Sequence, residues 1–401
     1  MKKSEATETR GSVNPFPTNR LLVLHVLPDL RQCAGGIAGA MRPLERALAL
    51  EGISSHFLTL RQDADSPLKD RTHLIAGSRY HILANLSSIR RSIERVAEMA
   101  RQRGLPLVCH SHGLWSPINH VIVRHCRGQG IPVVISVHGM LMPWAKRHKA
   151  VRKAIAWWLY QHDDLNRADA IHVTSNEELS NVDRAAHIRR PCVAPFGVYL
   201  PPEVKGVPMK IAPDELRSLL FFGRLHPIKN IPTLLQAFSQ ANLEGWRLRI
   251  VGPDEAGHRK ALESEVARLK LGGKTTIEDA VFGAAKDALF RSVDALVLPS
   301  HSENYGAVVA EALAYGRPVI ASRGTPWAAL EREECGWWVN SDRDSLISAL
   351  KSLGQTAPND LRAMGMRGRD LIERSLTWES SGASHADLYE RALTRSLKGY
   401  V

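Results

Sequence analysis

The sequence contains no run of about 18 or more apolar residues, so it offers no segment that would cross a bilayer as a helix. Cysteine is scarce, since the five residues are scattered and form no Cys-x-x-Cys or Cys/His metal spacing. This pattern argues against a disulfide framework or a zinc site and favours a reduced, cytoplasmic setting. The Gly-x-Gly-x-x-Gly dinucleotide fingerprint and the Gly-x4-Gly-Lys-Ser/Thr phosphate loop are also missing.

The composition indicates a globular protein of ordinary domain size. The chain has 401 residues, which suggests two domains, and its apolar content of 44% is sufficient for real cores. Residues 1–20 are polar and lack an apolar signal core, so they are predicted to be a disordered leader and not a secretory signal.

Charge is distributed unevenly along the chain. Residues 1–200 hold 27 Lys and Arg against 16 Asp and Glu, a net charge of +11, whereas residues 201–401 hold 26 against 25. A basic first half and a neutral second half predict an anionic partner for the first half, such as a membrane surface, a lipid-linked phosphate or nucleic acid.

Short buried-strand patterns alternate with helical patterns in both halves, which predicts an α/β protein with parallel, doubly wound sheets. The first such strand begins at Leu21. A Pro-rich, charged stretch near 197–216 separates the first half from the second, in which the pattern begins again at Leu219. The two halves look like two copies of one architecture. The predicted organisation is a leader over 1–20, a first domain over 21–197, a linker over 198–216, a second domain over 217–376 and a helix over 377–401.

The stretch from Ser300 to Ser322 has the strongest functional pattern. It follows a buried strand, forms a polar loop, continues as a helix and ends at the next strand. The backbone N–H groups of Asn304, Tyr305 and Gly306 are placed at the head of the helix, where an anion is stabilised and Gly306 permits close approach.

Two carboxylates accompany this predicted anion site. Glu303 lies on the loop and Glu311 lies about two turns into the helix. Carboxylates repel an anion but accept hydrogen bonds from sugar hydroxyls, so the combination suits a phosphate flanked by two polyols, as in a nucleotide sugar. From the two glutamates alone, a solvated loop residue and a helix-surface residue remain an equal or better explanation.

Three further strand-to-helix loops contain candidate site residues. Gly35 and Gly36 begin a helix after the first strand, and His138 follows a buried strand, where a ring N–H can bind a substrate or developing charge. Arg224 and Lys229 flank the first loop of the second half, where two cations suit a diphosphate. Each of these residues also has a purely structural interpretation.

The stretch from Trp144 to Tyr160 combines cations with aromatic residues. Such a basic aromatic helix can lie on anionic lipid or bind nucleic acid, and it can also be an ordinary surface helix with an aromatic core face. Its cations are Lys146, Arg147, Lys149, Arg152 and Lys153, and its aromatic residues are Trp144, Trp157, Trp158 and Tyr160.

Taken together, these motifs resemble those of the retaining family 4 glycosyltransferases with the GT-B fold, over roughly residues 21–398. The resemblance implies two Rossmann-like doubly wound parallel-sheet domains that face each other across a cleft. The motifs that support it are Gly223-Arg224-Leu225 with Lys229-Asn230, Val251-Gly252-Pro253, Leu298-Pro299-Ser300, Glu303-x7-Glu311 with Gly316, Gly35-Gly36, His138-Gly139 and Pro195-Phe196-Gly197. Phe196 is a departure, because the family often has Asn there.

The resemblance implies a role for each matching position. Arg224 and Lys229 would neutralise the donor pyrophosphate, Glu311 would bind the ribose and Glu303 would bind the donor sugar. Asn304, Tyr305 and Gly306 would supply backbone donors, and His138 would lie near the reacting carbon. Gly35 and Gly36 would border the phosphate and acceptor, Phe282 and Gly283 would lie by the base, and the helix near Trp378 would cross back to the first domain.

The resemblance therefore implies a metal-independent, retaining glycosyltransferase without a cofactor, which moves a hexose-type sugar from a UDP- or GDP-sugar to a glycan or lipid-linked acceptor. The predicted setting is cell-surface polysaccharide or lipopolysaccharide biosynthesis at the inner face of the cytoplasmic membrane. The alternatives are a nucleotide-sugar epimerase, another GT-B enzyme and a non-enzymatic nucleic-acid or membrane-binding protein. Asp63 and Asp65 resemble a metal motif of a different transferase fold and are predicted to lie in a solvated loop.

Overall fold

The structure is a computed structural model that describes residues 19–31, 34–75, 82–142, 145–146, 150–186, 191–202, 216–255 and 257–398. The predicted leader, apart from its last two residues, and most of the predicted linker lie outside these residues.

Two parallel sheets organise the described chain. The strands are β1 (Leu21–Val26), β2 (Ile53–Thr59), β3 (Thr72–Leu74), β4 (Leu107–His112), β5 (Val133–Ser136), β6 (Ala170–Val173), β7 (Pro191–Val193), β8 (Arg217–Phe222), β9 (Trp246–Val251), β10 (Thr275–Glu278), β11 (Ala295–Leu298), β12 (Val319–Ser322) and β13 (Gly336–Val339). The first sheet has the order β3-β2-β1-β4-β5-β6-β7, and the second has the order β10-β9-β8-β11-β12-β13. Both are the Rossmann-like order, in which the chain reverses its direction of growth beside the first strand.

Helices connect the strands as expected for parallel sheets. They are α1 (Gly36–Leu50), α2 (Ile82–Gln102), α3 (Pro117–Gly128), α4 (Ala150–Ala156), α5 (His162–Asn166), α6 (Asn176–Ala186), α7 (Ile231–Ala241), α8 (His258–Arg268), α9 (Gly283–Ser292), α10 (Ala307–Ala314), α11 (Ala329–Arg332), α12 (Arg343–Gln355), α13 (Pro358–Ser375) and α14 (Trp378–Lys398). A π-helical turn over Trp157–Gln161 joins α4 to α5. None of the described helices is both long and apolar enough to span a membrane.

The central strands are buried on both faces, which explains their continuous apolar sequence. In β1, Leu21 and Val23 face one core, whereas Leu22, Leu24 and Val26 face the other. Successive residues of a strand point to opposite faces of the sheet. A strand that is buried on both faces is therefore apolar at most of its positions. The two strand orders confirm the prediction of two doubly wound α/β units with parallel sheets.

Several boundaries differ from those that the sequence pattern predicts. The sequence pattern predicts a strand over 275–282 and a short helix over 286–291, whereas in the structure the strand ends at Glu278 and the helix begins at Gly283. Phe282 is therefore the residue just before α9, which a propensity argument misses because Gly283 is a poor helix former. The strands β3 and β13 and the helix α8 were not predicted, since all three are short or only partly buried.

The final helix, α14, crosses back to the first half and packs against α1. Its first turn adjoins Gly197, whose neighbour Val198 donates its N–H to the Leu376 carbonyl at 2.9 Å. A Cβ atom on Gly197 would lie 2.5 Å from backbone atoms of Thr377 and Trp378. The crossing of the two segments therefore depends on the absence of a side chain at residue 197.

We expect Gly197→Ala to destabilise the protein by about 2–4 kcal/mol, because backbone must move to admit the methyl group. Gly128→Ala is the matched control, since nothing lies within 4 Å of its Cβ position in α3. That variant is expected to be neutral or stabilising by up to about 1 kcal/mol, given the helix propensity of alanine. Urea unfolding of both variants tests this, and equal midpoints would contradict the close crossing.

Candidate active site

The candidate residues lie on loops at the carboxyl edges of the two sheets. In the first half, Gly35 follows β1 and His138 follows β5; in the second half, the loop from Gly223 to Asn230 follows β8 and the loop from Pro299 to Gly306 follows β11. Strands β8 and β11 are neighbours at the point where the strand order reverses. Ligands of open α/β sheets bind at such a point.

Lys229 and Glu303 form the central charged pair of the second half. The Lys229 Nζ atom lies 2.5 Å from Glu303 Oε1, and each side chain is 14% exposed. Ser300 donates its hydroxyl to the same carboxylate oxygen at 2.6 Å. The loops that carry the pair are joined because the His301 N–H donates to the Ile228 carbonyl at 2.8 Å. The site thus holds an ammonium donor beside a carboxylate acceptor.

The head of α10 presents backbone donors next to this pair. Gly306 precedes the helix in the left-handed conformation, with φ of 66°, and a Cβ atom there would lie 3.3 Å from Trp327 Nε1. Within the described residues, the backbone N–H groups of Asn304, Tyr305 and Gly306 donate to no protein acceptor. Such groups at a helix N-terminus bind anions or electron-rich oxygens.

Tyr305 has an additional role that the sequence does not indicate. Its side chain is buried, and its hydroxyl donates to the Phe196 carbonyl at 2.7 Å. The Tyr305 carbonyl accepts from Trp327 Nε1 at 2.6 Å, which fixes the peptide that precedes Gly306. Burial raises the pKa of the Tyr305 hydroxyl well above its usual range, so the group stays protonated and keeps donating. The residue therefore joins the second half to the end of the first.

Glu311 pairs with a residue that the sequence pattern did not single out. Lys286 Nζ lies 2.6 Å from Glu311 Oε1, and both side chains are about 30% exposed. The same ammonium group lies 5.2 Å from the centroid of the Phe222 ring, an arrangement that favours a cation–π contact. Phe282, at the head of the helix that carries Lys286, is 61% exposed. These residues form a partly open site of mixed charge and aromatic character.

Arg224 does not join Lys229 at Glu303. Its guanidinium lies 2.5 Å from Glu255, and both side chains are largely exposed. Below it, Gly252 passes so close to Gly223 that a Cβ atom on Gly252 would lie 1.8 Å from the Gly223 carbonyl oxygen. The predicted pair of cations is thus held by two different carboxylates.

His138 meets the second half directly through the residue that follows it. A Cβ atom on Gly139 would lie 2.9 Å from the Asn304 Cβ atom, so the two loops are in close contact. His138 has φ of 46°, a left-handed conformation that is uncommon for a non-glycine residue and is found at functional sites. It is 8% exposed, and burial lowers the pKa of its ring to about 3, so the ring is neutral at physiological pH.

Gly35 and Gly36 lie at the head of α1. Gly35 has φ of 106°, which side chains rarely adopt, and no atom of the described residues lies within 4 Å of a Cβ position on either glycine, the adjacent residues aside. Among the described residues, nothing therefore obstructs the close approach of a phosphate or acceptor to these glycines.

A buried carboxylate that the sequence analysis overlooked holds the His138 loop in place. Glu178, 1% exposed, accepts hydrogen bonds from the Gly139 N–H at 2.5 Å and from the Thr174 N–H at 2.6 Å. Burial raises the pKa of the Glu178 carboxyl, and these hydrogen bonds oppose that effect. Thr174 also contacts Asn304, with 3.4 Å between the two side-chain oxygens. The pattern Ser175-x-x-Glu178 predicts only a helix cap, because the contact of Glu178 with the Gly139 N–H cannot be inferred from the sequence.

The remaining predicted residues lie elsewhere. Asp65 is exposed in a turn before the β3 strand, and Asp63 accepts a backbone hydrogen bond within the same turn. Of the described residues of the basic stretch, Arg152 and Trp158 are exposed and Lys146, Lys153, Trp157 and Tyr160 are partly buried. Trp144, Arg147 and Lys149 fall outside the described residues.

Family models match both halves of the chain. Residues 35–197 match the model described as a glycosyl transferase 4-like domain, and residues 217–356 match the model for glycosyl transferases group 1. Among curated proteins, the chain is similar to a D-inositol 3-phosphate glycosyltransferase of a Nocardioides species. The two are 26% identical over an alignment that covers 97% of this chain and 93% of that protein.

Solved structures agree in fold. Sucrose-phosphate synthase from Thermosynechococcus elongatus superposes with a TM-score of 0.75 and 22% identity, over 94% of this chain and 100% of that one. HepE from Anabaena, in complex with UDP and glucose, superposes with a TM-score of 0.69 and 16% identity, over 92% of this chain and 100% of that one.

We expect the protein to lose stability steeply as the pH falls from about 6.5, the ordinary histidine value, towards 4. Burial lowers the pKa of His25 and His138 to about 3 and of His172 to about 4. In this interval these histidines are protonated in the unfolded chain but not in the folded protein. Each ring therefore lowers the free energy of unfolding by up to about 1.4 kcal/mol for each unit by which the pH falls.

Urea unfolding between pH 7.5 and pH 4.5 measures this slope. His25→Phe is the comparison variant, because an aromatic ring there still stacks on Phe57 but binds no proton. Its slope should be smaller by about 1.4 kcal/mol per pH unit in that interval, whatever its stability at pH 7.5. An unchanged slope would contradict the assignment of a neutral, buried His25.

Proposed function

We propose that this chain, a glycosyltransferase with the GT-B fold, moves a hexose-type sugar from a UDP- or GDP-sugar to an anionic acceptor, without a metal ion or cofactor and with retention of anomeric configuration. The observation that supports this most directly is the Lys229–Glu303 pair at the head of α10, facing the His138–Gly139 loop. It combines a phosphate-binding cation, a hydroxyl-binding carboxylate and free backbone donors in one cleft.

The donor is proposed to lie along the second half. Its diphosphate would contact Lys229, Arg224 and the N–H groups before α10, while Glu303 would accept from the sugar hydroxyls. The phosphate oxygens would replace the two carboxylates as partners of Lys229 and Arg224, and the sugar hydroxyls would replace the ammonium group as donors to Glu303, so each of these groups keeps a hydrogen-bond partner. Glu311 and Lys286 would bind the ribose, and Phe282 would contact the base. The bound nucleotide sugar would thus extend from the Lys229–Glu303 pair, at the head of α10, to the Lys286–Glu311 pair, whose Glu311 lies within α10.

The proposed chemistry needs no protein base. The bond between the donor's anomeric carbon and the phosphate oxygen breaks, the acceptor oxygen bonds to that carbon from the same face, and the acceptor's proton passes to the leaving phosphate. Lys229, Arg224 and the helix N-terminus would stabilise the charge on that phosphate, which is the role a metal plays in other transferases. His138 is neutral and would contribute a hydrogen bond and not a charge.

The acceptor is proposed to be anionic and held at a membrane surface. The row Val151, Ile155, Trp158 and Leu159 is exposed by 74%, 55%, 84% and 64% respectively, and its spacing places it along one helical face. An exposed apolar row beside cations is typical of helices that lie in the lipid interface. A peripheral location on the inner face of the cytoplasmic membrane, and a role in polysaccharide or lipopolysaccharide synthesis, are part of this proposal.

The structure divides the predicted basic stretch into an inner and an outer set. Lys153 donates to the Ala145 carbonyl at 2.5 Å, and Tyr160 donates to the Trp115 carbonyl at 3.0 Å, so both face the domain. Arg152 and Trp158 point outward. Beside them is an open cavity of about 830 Å³ whose lining includes Arg124, Arg127, Arg167 and Arg395. Asp163 pairs with Arg167 at 2.6 Å, so the lining is of mixed charge with an excess of cations.

A soluble phosphorylated acceptor is the second candidate. The curated relative is named for D-inositol 3-phosphate, and an acceptor of that kind shares the negative charge that the first half suits. The two candidates differ in one property, because only the membrane-held acceptor requires the exposed apolar row. A nucleotide-sugar epimerase would use the same donor contacts but release a nucleotide sugar instead of a free nucleotide.

We expect purified protein to release nucleotide slowly from one UDP- or GDP-sugar, to the same extent with and without EDTA. Glu303→Gln should lower kcat/KM for that donor by about 100-fold or more, since the amide keeps the shape but loses the negative charge and one of the two oxygens that would accept from the sugar hydroxyls. Nuclear magnetic resonance of the product of acceptor transfer should show the donor's anomeric configuration.

The matched control is Glu265→Gln, which removes a carboxylate from an ion pair with Arg268 on the outer helix α8. It should leave kcat/KM within about twofold, as is usual for surface substitutions. Activity that EDTA abolishes would overturn the metal-independent mechanism, and an inverted product would overturn retention. Conversion of the donor to an epimer without nucleotide release would favour the epimerase.

We expect Trp158→Glu to reduce sedimentation with vesicles that contain anionic phosphatidylglycerol by about 10-fold or more, and Arg152→Glu to reduce it by a smaller, salt-sensitive factor. Leu74→Glu is the control, because Leu74 is 57% exposed on the β3 strand, away from the apolar row. Equal vesicle binding by all three variants and the unchanged protein would contradict the membrane proposal and favour the soluble acceptor.

A further inference from the structure

A layer of buried histidines lies beneath the cleft, and the proposed function uses only one of them. Along neighbouring strands, His25 pairs in register with His110, His112 pairs with Ser136, and Ser136 pairs with His172. Residues in register on parallel strands point to the same face of a sheet. The members of the layer are His25, His110, His112, His138, His172 and His385, all of them 8% exposed or less.

One set of these residues has a fully determined hydrogen-bonding pattern. His172 Nε2 lies 2.7 Å from the Ala194 carbonyl, which can only accept, so this nitrogen carries the proton. His172 Nδ1 must then accept from Ser136 at 2.6 Å, and Ser136 in turn accepts from His110 Nε2 at 2.7 Å. His110 Nδ1 is left to accept from the Tyr389 hydroxyl at 2.8 Å. The carbonyl at one end thus fixes every proton in the set.

The second set is a chain of three rings, and no group at either end fixes it. His25 Nδ1 lies 3.0 Å from His112 Nε2, and His112 Nδ1 lies 3.1 Å from His138 Nε2. The outer nitrogens, His25 Nε2 and His138 Nδ1, are buried and lack a partner within the described residues. Burial lowers the pKa of all three rings, so each is neutral.

The number of protons on the three rings restricts where those protons can lie. Three neutral imidazoles carry three N–H groups, and the two inner hydrogen bonds use two of them. The third proton is therefore on His25 Nε2 or on His138 Nδ1, and the three tautomers are linked. His25 is 1% exposed and stacks on Phe57, whereas His138 belongs to the loop that touches Asn304 in the cleft. A ligand can contact only the His138 end.

We propose that His25, His112 and His138 act as one unit, in which His112, supported by His25, is a positioning residue that orients the His138 ring so that Nδ1 faces a hydroxyl of the donor sugar, and in which the tautomer of His138 changes only together with those of the other two rings. This rests on the proposed function. The ligand reaches His138 Nδ1 when the loops that meet at Gly139 and Asn304 separate. The unit also helps to hold His138 in its left-handed conformation, together with the Phe196 ring, which stacks on His138 with 5.9 Å between centroids.

A bound metal ion is the competing explanation for the cluster. Nitrogens of His25, His110 and His112 lie within 4.8 Å of one another. Both nitrogens of His110 and of His112 already have hydrogen-bond partners, and His25 Nε2 is the one nitrogen of the three rings without one. A divalent ion there would need those bonds broken, so the hydrogen-bonded chain accounts better for the distances.

Two substitutions of His112 test its hydrogen bond to His138 and its hydrogen bond to His25 separately. The amide of His112→Asn falls near the position of Nδ1 and can still bind His138, whereas the amide of His112→Gln falls near Nε2 and can bind only His25. We expect His112→Gln to lower kcat for donor turnover by about 10-fold or more, while His112→Asn stays within about threefold, a loss of the size seen when residues that orient a reacting ring are replaced. The dissociation constant for UDP or GDP should change in neither, because the nucleotide contacts lie on the second half.

The direct readout is the ¹⁵N spectrum of the His138 ring, identified by its loss in His138→Gln. In unchanged protein and in His112→Asn the Nε2 signal should be that of a hydrogen-bonded ring nitrogen, and in His112→Gln it should move, because that nitrogen loses its partner. His110→Asn is the control, since His110 is equally buried but belongs to the other set; it should lose stability without altering the His138 signals.

Two results would overturn the proposal. The first is an unaltered His138 spectrum and kcat in His112→Gln with intact folding. The second is one equivalent of zinc in the purified protein that is lost in His25→Gln, which would make the rings metal ligands. Absence of turnover with every UDP- and GDP-sugar would count against the proposed function alone. The ¹⁵N spectra report on the hydrogen bonds of the three rings even when no reaction takes place.

Discussion

The hydrogen bond from the Tyr305 hydroxyl to the Phe196 carbonyl joins the two halves of the molecule beside the candidate site residues of both. On one side of it, Tyr305 belongs to the loop that begins with Glu303 and ends at the helix head of Gly306. On the other side, the Phe196 ring stacks on His138 and on His385, at 5.9 and 5.8 Å between centroids. The contact therefore aligns the charged half of the cleft with the neutral half.

The two halves use different chemistry on opposite sides of one cleft. The second half supplies ions, and the cations of its candidate site are each balanced by a carboxylate, in the pairs Lys229–Glu303, Lys286–Glu311 and Arg224–Glu255. The first half supplies imidazoles that burial keeps neutral. Neutral donors can be buried in a layer without the large desolvation cost of charges, provided that their hydrogen bonds are satisfied. This division explains how a polar cleft floor is compatible with a sheet whose strands are buried on both faces.

Much of this organisation follows from local sequence. The β-α alternation predicts the doubly wound sheets, and the loop positions of Glu303 and Lys229 follow from the motifs that contain them. The partners of these residues do not follow, because Lys229 and Glu303 are 74 positions apart and Lys286 and Glu311 are 25 positions apart. The histidine layer was missed for a similar reason. His110 and His112 look like ordinary strand residues until the register with neighbouring strands places them beside His25 and Ser136.

The final helix has a consequence for the order in which the chain acquires its structure. Tyr389 completes the hydrogen bonding of His110, and these residues are 279 positions apart. Ser381 donates to the Pro195 carbonyl, 186 positions away, and closes the same region. During synthesis, the first sheet emerges from the ribosome long before this helix does. Its face towards α14 must therefore stay exposed while the whole second half is translated, a delay during which chaperones have the opportunity to bind it.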